Sequence, residues 1–316
     1  MSEPIGLDDL LSDPAVTEVL VNGGGRVFVE RGGRLEPAVV GLDEAEVRRV
    51  VERIIAPLGL RLDRASPMVD ARLPDGSRLH AILPPVAVDG TCVAIRRFGA
   101  GRRRLSDFAL ADDGEALLRW SIGAGWNLLL SGGTGAGKTT LLNTLAGELP
   151  PEERIVTIEE TAELALGQPH VVRLEARPPN AEGAGAVPVR ALVRAALRLR
   201  PDRLIVGEVR GGEAFDLLQA LNTGHRGSLC TIHANGPADA LARLESLVLL
   251  AGTGLPVDAV RAQIRSSIDA IVHVVRRSDG RRAVEAIAEL SGPTGLRTLY
   301  PAGPGSAVPA RPSRHP

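Results

Sequence analysis

The stretch "NLLLSGGTGAGKTTLLNTLAG" (127–147) limits what this chain can fold into more than any other. Leu128, Leu129 and Leu130 read as an apolar strand running into Gly132-x4-Gly137-Lys138-Thr139. Leu141, Leu142 and Leu145 then recur at helical spacing. Strand, glycine-rich loop and helix, in that order, are the context that a phosphate-binding loop requires. Each residue type has a reason. Gly132, Gly133, Gly135 and Gly137, with Thr134 and Ala136 between them, let backbone N–H groups turn inward around phosphate oxygens. The helix that starts there adds positive potential. Lys138 can reach the β- and γ-phosphates, and the Thr139 hydroxyl, followed by Thr140, can ligate Mg²⁺. "LSGG" at 130–133 looks like the signature of transporter ATPases, but it lies inside the loop and cannot play that part.

Residues 106–290 alternate strand-like and helix-like patterns, which predicts an α/β domain on a parallel-type sheet. In such sheets ligands bind where strands end. "RIVTIEE" ends in Glu159 and Glu160, "RLIVGEVRGGE" in Glu208 with Arg210 just beyond, and "SLCTIHANG" in His233. Behind a phosphate loop these suit phosphoryl transfer: Glu208 holding Mg²⁺ through water, Glu159 as base for the attacking water, His233 bonded to the γ-phosphate. His225, Cys230 and His233 are also possible zinc ligands. Alternation along the strand puts Cys230 and His233 on opposite faces, which argues against one shared ion.

Residues 1–98 read as a smaller α+β domain. It has strands around Gly23, Gly24 and Gly25, a helix after Asp43 with Val47, Val50, Val51, Ile54 and Ile55 on one face, and a hairpin at "MVDARLPDGSRLHAIL". Residues 99–105 read as a linker and 291–316 as a disordered Pro- and Gly-rich tail. In "VPVRALVRAALRLRPD" one helical face is apolar while Arg190, Arg194 and Arg198 form a stripe. That stripe reads as a solvated or intersubunit face, and a motor that moved DNA would need it as a groove. A formal net charge of −1 and only two Trp, one Tyr and four Phe argue against nucleic acid as a general partner. Two cysteines fit a reducing cytosol. The acidic start is unlike a signal peptide, and no apolar run is long enough to span a bilayer, so a cytoplasmic location is expected.

Together "SPMVDARLPDGSRLHAILPP", "CVAIRRF", "SGGTGAGKTTLLN", "IVTIEETAEL" and "ALRLRPDRLIVGEVRGGEAFDLLQALNTGHRGSLCTIHANGP" resemble the secretion-type traffic ATPases of type II secretion, type IV pili and type IV secretion. The resemblance covers roughly residues 10–290 and looks nearest the tight-adherence (Flp) pilus branch, the CpaF- or TadA-like proteins. It implies a RecA-like ATPase domain that uses ATP and Mg²⁺, assembled as a homo-hexamer on inner-membrane platform proteins. By it, Gly132 to Thr139 form Walker A, Glu159 is the catalytic glutamate of an acidic box, and Glu208 belongs to Walker B. His225 and His233 make up a histidine box, and Arg210 matches a charge-sensing position. Arg96 and Arg97 fall where the N-terminal domain of such proteins supplies arginines to the phosphates; read on their own they are a solvated pair ending a strand. Two departures stand out. Glu160 replaces a common Asp, and two cysteines cannot build the four-cysteine zinc module of type II relatives, so no structural zinc is expected.

Overall fold

The chain divides between Arg102 and Arg103 into two units, each built on its own sheet. The structure, a computed structural model, describes residues 6–73, 75–97, 103–177, 184–291, 295–301 and 309. Most of the expected linker and most of the expected tail therefore lie outside the described residues.

In the first unit, helix α1 (Leu7–Ser12) precedes strands β1 (Val16–Asn22), β2 (Val27–Arg31) and β3 (Arg34–Ala38). Helix α2 (Glu44–Ile55) follows, then β4 (Met68–Arg72), β5 (Arg78–Ile82) and β6 (Cys92–Arg96). The sheet is antiparallel in the order β3-β2-β1-β6-β5-β4. Asp43 caps α2 by accepting the Glu46 N–H at 2.7 Å, and Val47, Val51 and Ile55 bury one face of the helix against Val19, Val29 and Ile95 of the sheet side. At the β1–β2 turn a Cβ on Gly25 would lie 2.1 Å from the Leu42 carbonyl oxygen, and its φ of +73° suits glycine alone.

The second unit contains α3 (Asp112–Gly123), β7 (Leu128–Gly132), α4 (Lys138–Ala146), β8 (Ile155–Glu159), β9 (Val171–Glu175), α5 (Val189–Ala196) and β10 (Arg203–Val206). It continues with α6 (Glu213–Asn222), β11 (Leu229–His233), α7 (Pro237–Leu250), α8 (Val257–Ser267), β12 (Ala270–Arg276), β13 (Arg282–Ser291) and β14 (Gly295–Tyr300). The sheet order is β14-β13-β12-β7-β11-β10-β8-β9, parallel from β12 to β9 and antiparallel across β13 and β14. This is the RecA-like arrangement that the family resemblance implies. Every residue of β7, β8 and β10 is buried, because helices cover both faces. Alternation along β7 sends Leu129 into the core under α5 to α8, while Leu128 and Leu130 enter the core under α3 and α4.

Two features differ from the sequence reading. Residues 295–300 are not tail but the edge strand β14, where Leu299 is buried and Arg297 donates to the wholly buried Glu289 at 2.7 Å. The Gly and Pro on either side mask this short strand. The arginine stripe of α5 is also not simply solvated: Arg190 and Arg194 each donate through Nε to Asp216 of α6 at 2.6 Å, while Arg198 is exposed.

One buried pair fixes the far end of the sheet. Arg203, 1% exposed at the start of β10, donates to Glu153 at 2.5 and 2.9 Å. Its guanidinium fills the space beside Gly227, where an added Cβ would fall 1.2 Å from Arg203 Nη1.

Candidate functional site

The register aligns the carboxyl ends of the central strands. His233 pairs with Gly132, Val206 with Cys230, and Ile158 with Val206, so the segments after β7, β11, β10 and β8 emerge on one rim. At Gly132 the strand passes so close to β12 that a Cβ would lie 2.4 Å from the Val274 carbonyl oxygen. Gly135 (φ +70°) and Gly137 (φ +101°) turn the loop through left-handed conformations and deliver it to the first residue of α4, Lys138. Gly133 and Thr134 are exposed, Ala136 is buried, and Thr139 and Thr140 are half-buried on the first turn.

Lys138, only 7% exposed, donates from Nζ to the carbonyls of Gly132 (3.0 Å) and Gly133 (2.9 Å). His233 lies beside it, with Nδ1 at 3.2 Å from Nζ, and its Nε2 is 3.1 Å from Glu208 Oε1. Burial first, and then the neighbouring Lys138 charge, hold the imidazole below its ordinary pKa. The neutral tautomer that serves both contacts accepts from Lys138 at Nδ1 and donates from Nε2 to Glu208. Burial disfavours the Glu208 carboxylate, but hydrogen bonds and charge from Arg210, with His233 and Lys138, outweigh it and keep the group below the usual carboxylate range. Arg210 grips Glu208 through Nε (2.7 Å) and Nη2 (2.8 Å), and reaches Glu160 with Nη1 at 2.6 Å. Glu213, at the start of α6, accepts the backbone N–H groups of Arg210 (2.6 Å) and Gly211 (2.7 Å), which orients that loop. Lys138, His233, Glu208, Arg210 and Glu160 thus form one continuous polar chain.

Glu159 stands outside that chain, on the strand beside β10. It is 3% exposed, and Oε1 accepts the N–H groups of Glu163 (2.8 Å) and Leu164 (3.0 Å). Among the described residues Oε2 has no hydrogen-bond partner. Burial pushes its pKa from 4.5 up to about 7. Gly207 makes room for it, since a Cβ there would come 2.9 Å from Glu159 Cγ. The sign of the resulting pH effect is fixed. The folded state holds a proton that the unfolded chain gives up, so this contribution to stability is complete below pH 4.5 and is lost as pH rises through about 7. Glu159→Gln is therefore expected to gain on the wild type by roughly 3 kcal/mol at pH 8 and by almost nothing at pH 4.5, read as denaturant midpoints. A gap that stays constant with pH would show that the carboxylate is not buried as described.

The remaining sequence candidates have other surroundings. His225 precedes β11, whereas the phosphate loop lies beyond its other end, and the strand between spans roughly 13 Å. Its ring donates instead to the Ala220 carbonyl at 3.0 Å, so the fold does not bring His225 to the loop. Arg96 is exposed at the end of β6, while Arg97 is tied to the carbonyls of Asp13 and Val16 within the first unit. Cys230 faces the core, where burial pushes its thiol up to about 12, which leaves it unsuited to metal or nucleophile chemistry at neutral pH. Sequence reading missed His273, buried beneath the loop with Nδ1 2.9 Å from Ser131 Oγ. An isolated histidine in the apolar run "AIVHVV" was the available signal.

Among the described residues no three His, Cys, Asp or Glu side chains are grouped to hold a metal unaided. Mg²⁺ keeps several waters and takes one or two carboxylates together with substrate phosphates. The Thr139 hydroxyl and Glu208 are hard oxygen donors of the right kind, and the partnerless Glu159 Oε2 adds acceptor capacity on the same rim.

Residues 5–299 match the family described as type II/IV secretion system protein. A Mycobacterium tuberculosis protein, provisionally named for conjugal transfer, is 45% identical over 295 residues, spanning 90% of this chain and 83% of the relative. The conjugal transfer protein TrbB of Rhizobium radiobacter is 35% identical over 285 residues, spanning 88% and 84%. The crystal structure of the VirB11 ATPase from the Brucella suis type IV secretion system, in complex with sulphate, superposes with a TM-score of 0.51 at 30% identity, covering 90% of this chain and 92% of that one.

Proposed function

The chain belongs to the type II/IV secretion system protein family, and from that premise we propose that it is an Mg²⁺-dependent, ATP-hydrolysing motor of a secretion-type machine. The observation that carries this reading is the contact chain from Lys138 through His233 to Glu208, rooted in a phosphate-binding loop. A nucleoside triphosphate on that loop places its γ-phosphate among these three groups. Gly133 to Thr140 supply backbone N–H groups and hydroxyls, and Lys138 offsets the charge that develops on the transferred phosphoryl group. Thr139, through its hydroxyl, and Glu208, through water, would hold Mg²⁺, which would supply charge neutralisation to the phosphates. Glu159, with a pKa of about 7, suits a base that takes a proton from the attacking water. The water oxygen bonds to the γ-phosphorus as the β–γ bridging bond breaks, and ADP and phosphate leave.

His233 bonds on one side to the lysine that meets the γ-phosphate and on the other to Glu208, so it reports the state of the phosphate to the loop before α6. Arg210 then links Glu208 to Glu160, just past the end of β8. In this reading the motor is a homo-hexamer acting on the inner face of the cytoplasmic membrane through platform proteins, with Arg96 supplied from the first unit. No described helix is long and apolar enough to cross a membrane, so contact with the machine runs through partners. The tight-adherence pilus is one such machine. A conjugation-type machine is the second reading, favoured by relatives named for conjugal transfer.

Steady-state ATP hydrolysis, measured across protein concentration with and without DNA, separates these readings. Turnover is expected to rise as oligomers form and to fall at least a hundredfold in Glu208→Gln. Indifference to DNA supports the pilus or secretion motor, and stimulation by DNA supports transfer. Undiminished hydrolysis in Glu208→Gln would remove Glu208 from the reaction.

A further inference from the structure

Two buried polar side chains meet where the phosphate loop leaves its strand. Ser131 of β7 is wholly buried, His273 of β12 is 3% exposed, and the parallel register pairs them with Ser131 Oγ 2.9 Å from His273 Nδ1. On its other flank Ser131 pairs with Ile232, whose side chain offers no hydrogen bond. The next residues touch as well, since a Cβ on Gly132 would lie 2.4 Å from the Val274 carbonyl oxygen. At this same place the pairing of β12 with β13 shifts. His273 pairs with Ala286 and Val274 with Val284, which leaves Glu285 as the extra residue of a bulge. The Glu285 carboxylate comes to 3.9 Å from His273 Nε2. That charge favours a proton on Nε2, so Nδ1 accepts from the Ser131 hydroxyl. Burial holds the ring below its ordinary pKa against the pull of Glu285 and Asp239, which keeps it neutral and able to accept.

A hydroxyl and an imidazole buried together add little stability. Bonded to each other they roughly offset their desolvation, and apolar side chains of similar shape would fill a core at least as well. What such a bond adds is position, because it holds one arrangement where aliphatic packing allows several. The residue held here is the last before Gly132, whose carbonyl accepts from Lys138 at 3.0 Å. We propose that His273 is a positioning residue for phosphoryl transfer, which fixes the root of the phosphate loop through Ser131 while Glu285 sets the tautomer of its ring. Buried beneath the loop, it acts on a bound phosphate only through that strand end. Small displacements of a group that meets the reacting phosphate weaken the transition state more than they weaken binding. The inference rests on the nucleotide reading of the loop and goes beyond it by adding a residue of β12 to the reaction's supports.

The test is steady-state ATP hydrolysis by the full chain and its variants, with thermal midpoints measured alongside. His273→Leu and Ser131→Ala are each expected to lower kcat about tenfold and to leave KM within roughly twofold. The double variant, Ser131→Ala with His273→Leu, should be no slower than either single change, because both break the same bond. It leaves no unpaired hydroxyl or imidazole in the core, so its thermal midpoint should match or exceed that of the wild type. His273→Asn presents an amide oxygen near the place of Nδ1 and should bring kcat back to within about threefold of the wild type. Wild-type turnover in the double variant, single losses that multiply in it, or losses that follow the thermal midpoints would overturn the positioning role. Wild-type protein without ATP turnover would overturn the hydrolysis reading itself, and this inference with it.

Discussion

Lys138→Ala is expected to lower ATP turnover to background, a loss of at least a hundredfold and on the order of a thousandfold. The ammonium is almost fully buried and bonded to two loop carbonyls, so it stands at the loop, shielded from water, before any phosphate arrives. A charge fixed in a site shielded from water acts strongly on charge that develops beside it. The substitution should also have an effect that no folding defect imitates. Lys138 is one of the charges that hold the His233 ring below its ordinary pKa. Without it, the imidazole should titrate at a higher pH than in the wild type, visible in its proton resonances. Turnover retained in Lys138→Ala would sink the phosphate-loop assignment. A normal His233 titration with turnover lost would break only the link between the two residues.

The second large effect concerns stability. Gly227→Ala places a methyl group where the Arg203 guanidinium lies, at a position with φ of +69°. Arg203 cannot swing into water without leaving a buried pair whose side chains are 2% and 17% exposed. Breaking such a pair costs roughly 3–5 kcal/mol, and the backbone strain adds about 1 kcal/mol. For a unit of this size the thermal midpoint should fall by roughly 10 °C or more. Arg203→Ala combined with Gly227→Ala should cost much less than the sum of the two, since the clash disappears with the side chain. Simple additivity would show that the methyl group acts elsewhere.

These effects show which parts of the molecule were legible in the sequence. The α/β fold was readable because each central strand is a short apolar run followed by an abrupt polar residue, as at Glu159, Glu208 and His233. The loop was readable because its glycines are needed at fixed spacing. The contact chain of Lys138, His233, Glu208 and Arg210 was only half readable: the strand ends predicted the rim, but not that Arg210 would bridge Glu208 and Glu160. His225 misled for a physical reason. It is near His233 in sequence, yet the extended strand β11 holds the two at its opposite ends. Arg190 and Arg194 looked solvated because their partner, Asp216, comes from the next helix, α6, on the other side of β10 in the sequence. Ser131 and His273 were invisible as a pair because they lie 142 residues apart, and only parallel pairing of β12 with β7 joins them. β14 was hidden by the Gly- and Pro-rich composition around it.

The lysine folded back on its own loop sets the terms on which any phosphate enters. Its ammonium already has two carbonyl acceptors and an imidazole, so arrival of a nucleotide is an exchange of partners, not the capture of a bare charge. Net affinity is then a difference between two well-served states, smaller than the contacts in either suggest. The same competition favours release of a bound phosphate group, because the carbonyls of Gly132 and Gly133 stand ready to take the ammonium back. A cycling machine gains more from that reversibility than from tight binding.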